Sequence, residues 1–304
     1  MLTTESLCKT YPNGAVGMEG VSLRVPPGVY GLLGPNGAGK STLMRTLATL
    51  QDPDRGTAML DDVDLVRDKP AARRLLGYLP QDFGVYPELK AVEMLDHLAV
   101  LKGLGPRRER RRRVERMLEV TNLLEHRKQA LGTFSGGMRQ RFGIAQAMIG
   151  SPRLLIVDEP TAGLDPSERN RFHNLLVRIS EDIVVLLSTH IVEDVADLCP
   201  HLAIMHGGRV LVTGTPGELR AELAGRLWRK RMSRADADRA RGRMEVISTR
   251  LIEGVSELHV LSETAPGEGF EACDPDLEDV YFAQLFTAER RGSSEAAEAA
   301  GVIA

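Results

Sequence analysis

Gly34, Pro35, Asn36, Gly37, Ala38, Gly39, Lys40, Ser41 and Thr42 pack three glycines, one lysine and two hydroxyls into nine residues. An apolar, strand-like run, Val29 to Leu33, leads into this stretch, and a helix-like run, Leu43 to Ala48, leads out of it. Gly-x-x-x-x-Gly-Lys-Ser between strand and helix meets a specific physical demand. Phosphate oxygens need several donors at close range, and glycines let main-chain N–H groups curl around the anion. The helix that follows aims its N-terminal donors and partial positive charge at the same point. Lys40 is then placed to reach the outer phosphates of a nucleotide, and Ser41 to hold Mg²⁺.

Such a site needs a second half, and three downstream segments offer parts of it. Residues 153–160, Arg-Leu-Leu-Ile-Val-Asp-Glu-Pro, read as an apolar strand ending in Asp158 and Glu159. A near-continuous apolar strand is buried on both faces, as in a parallel sheet, and ligands bind at the carboxyl ends of such strands. Asp158 is therefore expected beside the Mg²⁺, and Glu159 where it can orient an attacking water or take its proton. Residues 134–141 place Ser135, Gly136 and Gly137 at the opening of a helical run, a second anion-binding terminus that one chain with one nucleotide does not need. Residues 183–189 form another apolar strand, and His190 follows it.

At this point residues 1–222 resemble the nucleotide-binding subunits of ABC transporters. Residues 34–42 are similar to Walker A, and Gln81 in Gly-Tyr-Leu-Pro-Gln to the Q-loop glutamine. Ser135-Gly136-Gly137 resembles the signature sequence, Asp158 the Walker B aspartate and Glu159 the catalytic glutamate. Asp165 in Ala-Gly-Leu-Asp resembles the D-loop aspartate, His190 the switch histidine, and Tyr11 the adenine-stacking aromatic. The motifs stand in the family's order, with Ser135 23 residues ahead of Asp158. The segment departs from the family at Phe134 for Leu and Met138 for Gln.

The resemblance implies an α/β fold: a P-loop NTPase core with a parallel sheet, an antiparallel β edge, an inserted helical subdomain at about 87–150, and a small C-terminal appendage over 223–290. It also implies ATP and Mg²⁺ as ligands, with Ser41, Gln81 and Asp158 at the metal and Glu159, His190 and Gln81 as catalytic residues. Two copies would pair head to tail, so that Ser135 of one closes over the γ-phosphate held by Lys40 of the other. A separate transmembrane permease is the implied partner, with the chain peripheral on the cytoplasmic face of the membrane. Export of a drug or other hydrophobic compound is the leading expectation. A soluble single-cassette ATPase in iron–sulfur assembly or another non-transport role is the alternative.

Composition sets outer bounds on these readings. The net charge of −3 over 304 residues argues against holding nucleic acid by bulk charge. The three cysteines are far apart and offer neither a disulfide framework nor a metal spacing. No basic region followed by an apolar stretch opens the chain, and no apolar run nears the ~20 residues of a membrane helix.

Outside the motifs the expectations are coarser. Residues 3–25, 29–33 and 57–65 read as β, 41–50 as helix, and 165–180 as a helix capped by Asp165 with Pro166 at its first turn. Residues 202–215 read as a hairpin turning at Gly207-Gly208, and 216–223 as a short helix. Seven of the ten residues 107–116 are arginine. They read as a solvated helix face with Val114, Met117 and Leu118 turned inward, or as a surface for nucleic acid or lipid headgroups. The charged stretch 227–246 is compatible with helix, 244–263 with two strands, and 275–286 with an amphipathic helix capped by Asp274. The tail, 291–304, reads as disordered, and 223–290 as either a regulatory, dimer-stabilising unit or a packed extension.

Overall fold

The computed structural model describes residues 1–301, with side chains through Arg291. Three sheets, ten α-helices and two short 3₁₀ helices make up the described fold. The first sheet is antiparallel, built from β1 (Leu2–Thr10), β2 (Val16–Val25), β4 (Arg55–Leu60) and β5 (Val63–Asp64) in the order β2-β1-β4-β5. The expected strand at 57–65 is thus a tight hairpin, turning where Asp61 takes a positive φ of 51°.

The central sheet runs β10-β9-β3-β8-β7-β6. Its strands are β3 (Gly28–Leu33), β6 (Leu76–Leu79), β7 (Leu154–Asp158), β8 (Val184–Thr189), β9 (His201–His206) and β10 (Arg209–Gly214). All neighbours are parallel except β9 and β10, which form the antiparallel hairpin turning at Gly207-Gly208. Every residue of β7 and β8 is buried, because both sheet faces are covered. Leu154, Ile156, Val184 and Leu186 point into a core shared with α1 (Lys40–Leu47) and the first sheet. Leu155, Val157, Val185 and Leu187 point the other way, into a core with α5 (Gly136–Met148), α6 (Pro166–Ile179) and α7 (Val192–Leu198). The helix after the glycine loop ends at Leu47, short of the expected Leu50, since Thr49 turns to φ 61°. A short α2 (Lys69–Leu75), capped by Asp68, precedes β6.

Between β6 and β7 the chain leaves the sheet. Here α3 (Ala91–Leu101), α4 (Arg107–Val120) and α5 enclose their own core of Leu95, Val114, Leu118, Phe134, Phe142 and neighbours. Val114 and Leu118 turn inward from α4 with Met117 beside them, which agrees with the solvated-face reading of the arginine run.

Beyond α8 (Pro216–Ala221), the third sheet is β12-β13-β11-β14, antiparallel throughout. It comprises β11 (Leu227–Met232), β12 (Val246–Ile252), β13 (Val255–Leu261) and β14 (Glu271–Ala272), with α9 (Arg234–Arg241) against it. The helix-compatible stretch at 227–246 is therefore a strand first and a helix second. Leu227, Arg229 and Arg231 alternate with Trp228, Lys230 and Met232 across β11, and pairing with β13 over six residues outweighs helix propensity.

The last helix, α10 (Leu277–Gly301), buries Leu277, Val280, Tyr281 and Ala283 in the core that also holds Leu198 of α7 and Ile204 of β9. Its cap is Asp276, not Asp274: the Asp279 N–H donates to Asp276 Oδ1 at 2.8 Å, and the helix begins at Leu277. The expected disorder at 291–304 gives way to α10 as far as Gly301, consistent with the helix propensity of its Ala and Glu residues; 302–304 lie outside the described residues.

A buried ionic cluster ties β13 to α10. His259 Nδ1 lies 2.6 Å from Asp279 Oδ1, and Arg250 reaches Asp276 and Asp279 at 2.9–3.0 Å. Burial alone would lower the His259 pKa; the Asp279 hydrogen bond and charge outweigh it and hold the ring above the ordinary 6.5. A raised folded pKa gives stability that is complete below the unfolded value and lost as pH rises through the folded one. The melting temperature of His259→Gln should therefore fall furthest below wild type near pH 6, with the gap narrowing by about pH 9. A gap of constant size would contradict this.

Candidate active site

Four of the motif segments follow the carboxyl ends of adjacent parallel strands: Gly34 after β3, Gln81 after β6, Glu159 after β7 and His190 after β8. Register brings the ends level, with Leu33 opposite Thr189 and Asp158 opposite Ser188. In the glycine loop, a side chain at Gly39 is excluded twice. Its φ is 100°, and a Cβ there would lie 2.4 Å from the Gly17 carbonyl oxygen. Gly34 has no more room, since a Cβ would meet Met205 O at 2.5 Å. Lys40 is 4% exposed, and its Nζ donates to Gly34 O at 2.6 Å and Pro35 O at 3.2 Å. Burial lowers its pKa, and the nearby charges of Glu159 and Asp158 oppose that shift. The Tyr11 hydroxyl pairs with Thr42 Oγ1 at 3.1 Å, setting the ring beside the start of α1.

The two acidic residues take different positions. Asp158 is buried and accepts a short hydrogen bond from the Ser188 hydroxyl. Burial raises its pKa, aided by the charge of Glu159 and opposed by Ser188 and Lys40. Glu159 has a positive φ of 47°, uncommon for a non-glycine residue. Its carboxylate lies between two partners, with Oε1 3.6 Å from Lys40 Nζ and Oε2 2.6 Å from His190 Nδ1. Residues from three loops thus converge on one carboxylate at the mouth of the glycine loop.

Asp158 also bears on the expected Mg²⁺. Of its two oxygens only Oδ1 takes a hydrogen bond among the described residues, and a cation would offset its desolvation. With the exposed Ser41 hydroxyl and the Gln81 amide oxygen, the donor set is all hard oxygen, as Mg²⁺ requires. No cluster of three or more metal-ligating side chains occurs among the described residues.

The remaining predicted residues gather elsewhere. Ser135 caps α5, its hydroxyl accepting from Met138 N at 3.2 Å, and Gly136 beside it is exposed. Gly137 packs so closely on Glu168 that a Cβ would meet Glu168 Oε2 at 2.2 Å. Gln81, Gly136, Ala162 and Gly163 line a cleft of about 440 Å³. Asp165 caps α6 by accepting from Glu168 N at 2.9 Å. Among the described residues, no hydrogen bond or ion pair of Lys40, Asp158, Glu159 or His190 reaches Ser135. Met138 turns into the apolar core of the helical insertion.

Sequence reading missed Asp194, four residues beyond His190. It is fully buried on α7 and accepts from the Thr161 hydroxyl at 2.5 Å and from Arg169 Nε at 2.5 Å, with His173 Nε2 at 2.9 Å. Burial would raise its pKa; the bonds from His173, Thr161 and Arg169 outweigh this and hold it below the usual value. Asp194 thereby fixes the helix behind His190 to the 161–165 loop and to α6. Ser188 was missed too. Only the pairing of β7 with β8 sets it against Asp158.

The family model described as ABC transporter matches residues 18–162. The daunorubicin/doxorubicin resistance ATP-binding protein DrrA of Streptomyces peucetius is 39% identical over 244 residues, 78% of this chain and 73% of its own. The linearmycin resistance ATP-binding protein LnrL of Bacillus subtilis (strain 168) is 34% identical, over 74% of this chain and 72% of its own. Among solved structures, an ATP-binding subunit of an ABC transporter matches with a TM-score of 0.65 and 31% identity, covering 73% of this chain and 92% of that one. The dimeric bacterial cassette MJ0796 matches at 0.64 and 26%, covering 71% and 98%.

Proposed function

The chain belongs to the ATP-binding proteins of the ABC transporter family, and on that premise we propose that two copies close head to tail over two ATP molecules and drive a separate membrane permease. The observation that carries the reading is the meeting of Lys40, Glu159 and His190 at the ends of three parallel strands. Phosphoryl transfer to water demands positioning and charge stabilisation more than covalent chemistry. Lys40 and the glycine-loop N–H groups hold the outer phosphates. Glu159 orients the attacking water and takes its proton, while His190 steadies Glu159 and reaches the γ-phosphate. Ser41 and Asp158, together with Gln81, would hold Mg²⁺, which would supply charge neutralisation for the phosphates.

Ser135 and its glycines then act on the nucleotide of the other copy, which accounts for an anion-binding helix terminus with no bond to Lys40 in its own chain. Asp165 lies at the same junction, and Tyr11 carries the adenine. Gln81, at the cleft between the sheet and the helical insertion, links the γ-phosphate to that insertion and so to the permease. Residues 1–222 form the ATP-binding unit in this reading, 223–290 an appendage, and the assembly sits at the cytoplasmic face of the membrane.

The names of the relatives DrrA and LnrL, resistance ATP-binding proteins, favour export of a hydrophobic compound over iron–sulfur assembly. The test is co-purification with any membrane protein encoded beside it, followed by ATPase assays in vesicles with daunorubicin, doxorubicin and linearmycin as candidate cargo. Stimulated turnover with one cargo supports export. Failure to associate with any membrane protein, with basal turnover intact, would overturn it.

A further inference from the structure

The arginine run is not absorbed by ATP chemistry. We propose that the outward face of α4, with the neighbouring tip of α3, binds an anionic phospholipid surface directly. Within residues 107–120, seven arginines stand against three glutamates, in a chain whose net charge is −3. Arg110 turns back to Asp96 at 2.7 Å, and Arg111 pairs with Glu115 at 3.1 Å. The side chains of Arg107, Arg108, Arg112, Arg113 and Arg116 make no hydrogen bond or ion pair among the described residues.

Their placement disfavours the helix that carries them. Arg108, Arg112 and Arg116 recur at four-residue steps, so like charges stack in one exposed row. Arg107, Arg108 and Arg110 occupy the first turn, at the positive end of the helix dipole. An external layer of anions offsets both effects at once. The occupant is identified by the sign of the charges and by the exposed apolar residues that precede them in the chain. Val100 and Leu101, at the end of α3, are 49% and 70% exposed, and a five-residue connection leads from them to Arg107. Exposed apolar side chains a few residues ahead of a run of guanidinium groups match the boundary between acyl chains and phosphates, where both find partners. A nucleic-acid backbone offers nothing to Leu101.

The test uses the purified full chain, without a permease, and co-sedimentation with vesicles. Vesicles of phosphatidylglycerol with phosphatidylcholine should retain the protein, retention should weaken with added salt, and phosphatidylcholine alone should not retain it. An arginine near an anionic surface contributes roughly fivefold to partitioning, so Arg108→Gln, Arg112→Gln and Arg116→Gln together should reduce it about 100-fold. The triple variant should keep wild-type ATP turnover and melt no lower than the wild type, since the like-charge row is relieved, which shows that it is folded. Leu101→Ser should weaken retention without changing its salt dependence. Equal retention by both vesicle types, wild-type retention by the triple variant, or tighter binding to duplex DNA than to anionic vesicles would each overturn the proposal.

Discussion

Replacing Glu159 with glutamine is expected to lower ATP turnover about 10²- to 10⁴-fold while nucleotide binding persists. The carboxylate sits 2.6 Å from His190 Nδ1 and 3.6 Å from Lys40 Nζ, at the mouth of the phosphate loop. Glutamine has the same shape and leaves the backbone at φ 47° unchanged in demand, but its amide cannot take a proton from water. It also removes a negative charge beside bound phosphates, so the closed pair should outlive that of the wild type. Steady-state phosphate release gives the rate, and size-exclusion chromatography with ATP and Mg²⁺ gives the oligomeric state. Turnover within a few-fold of wild type, or a nucleotide-bound variant that stays monomeric, would contradict the assignment.

The second large effect falls away from the nucleotide. Asp194→Ala should cost about 3–5 kcal/mol of stability, the range for breaking a buried charge pair by removing one partner. It strands the Arg169 guanidinium, the His173 ring and the Thr161 hydroxyl, all gathered on one buried carboxylate. Urea denaturation measures the loss, and a change below about 1 kcal/mol would show that these groups find other partners. Asp194→Asn keeps an acceptor for Thr161 and should cost less. The pH dependence follows from the depressed pKa. The contribution is present above the ordinary carboxylate value and fades as pH falls through the lower folded one. Since α7 begins two residues after His190, Asp194→Asn should also slow turnover with little change in the ATP concentration at half-maximal rate.

What could be read in the sequence follows from how local each requirement is. Gly34, Gly39 and Lys40 announce themselves because a phosphate loop needs glycine at fixed spacing within one short segment. Asp158 is legible because a wholly apolar strand that runs straight into two acids sets them at the carboxyl edge of a buried sheet. Ser188 and Asp194 carry no such mark. Their roles arise from strand register and helix packing that join residues 21–33 positions apart. The β11 strand misleads for a related reason. Its arginines and lysine favour a helix locally, and only the antiparallel partner β13 makes it a strand. At α10 two aspartates are candidates for the cap, and only where the helix begins in the fold, with the Asp279 N–H reaching Asp276, decides between them.

Shared sites between twin chains can be tested most directly by mixing two crippled variants. Ser135→Arg blocks the serine-bearing helix terminus, and Lys40→Ala empties the phosphate loop of its cation; each alone should be inactive. In a mixed pair, one of the two sites holds an intact Lys40 from one copy and an intact Ser135 from the other. ATP hydrolysis should therefore return on mixing. If the mixture stays as inactive as its components, or Ser135→Arg alone hydrolyses at the full wild-type rate regardless of dilution, the sites are not shared.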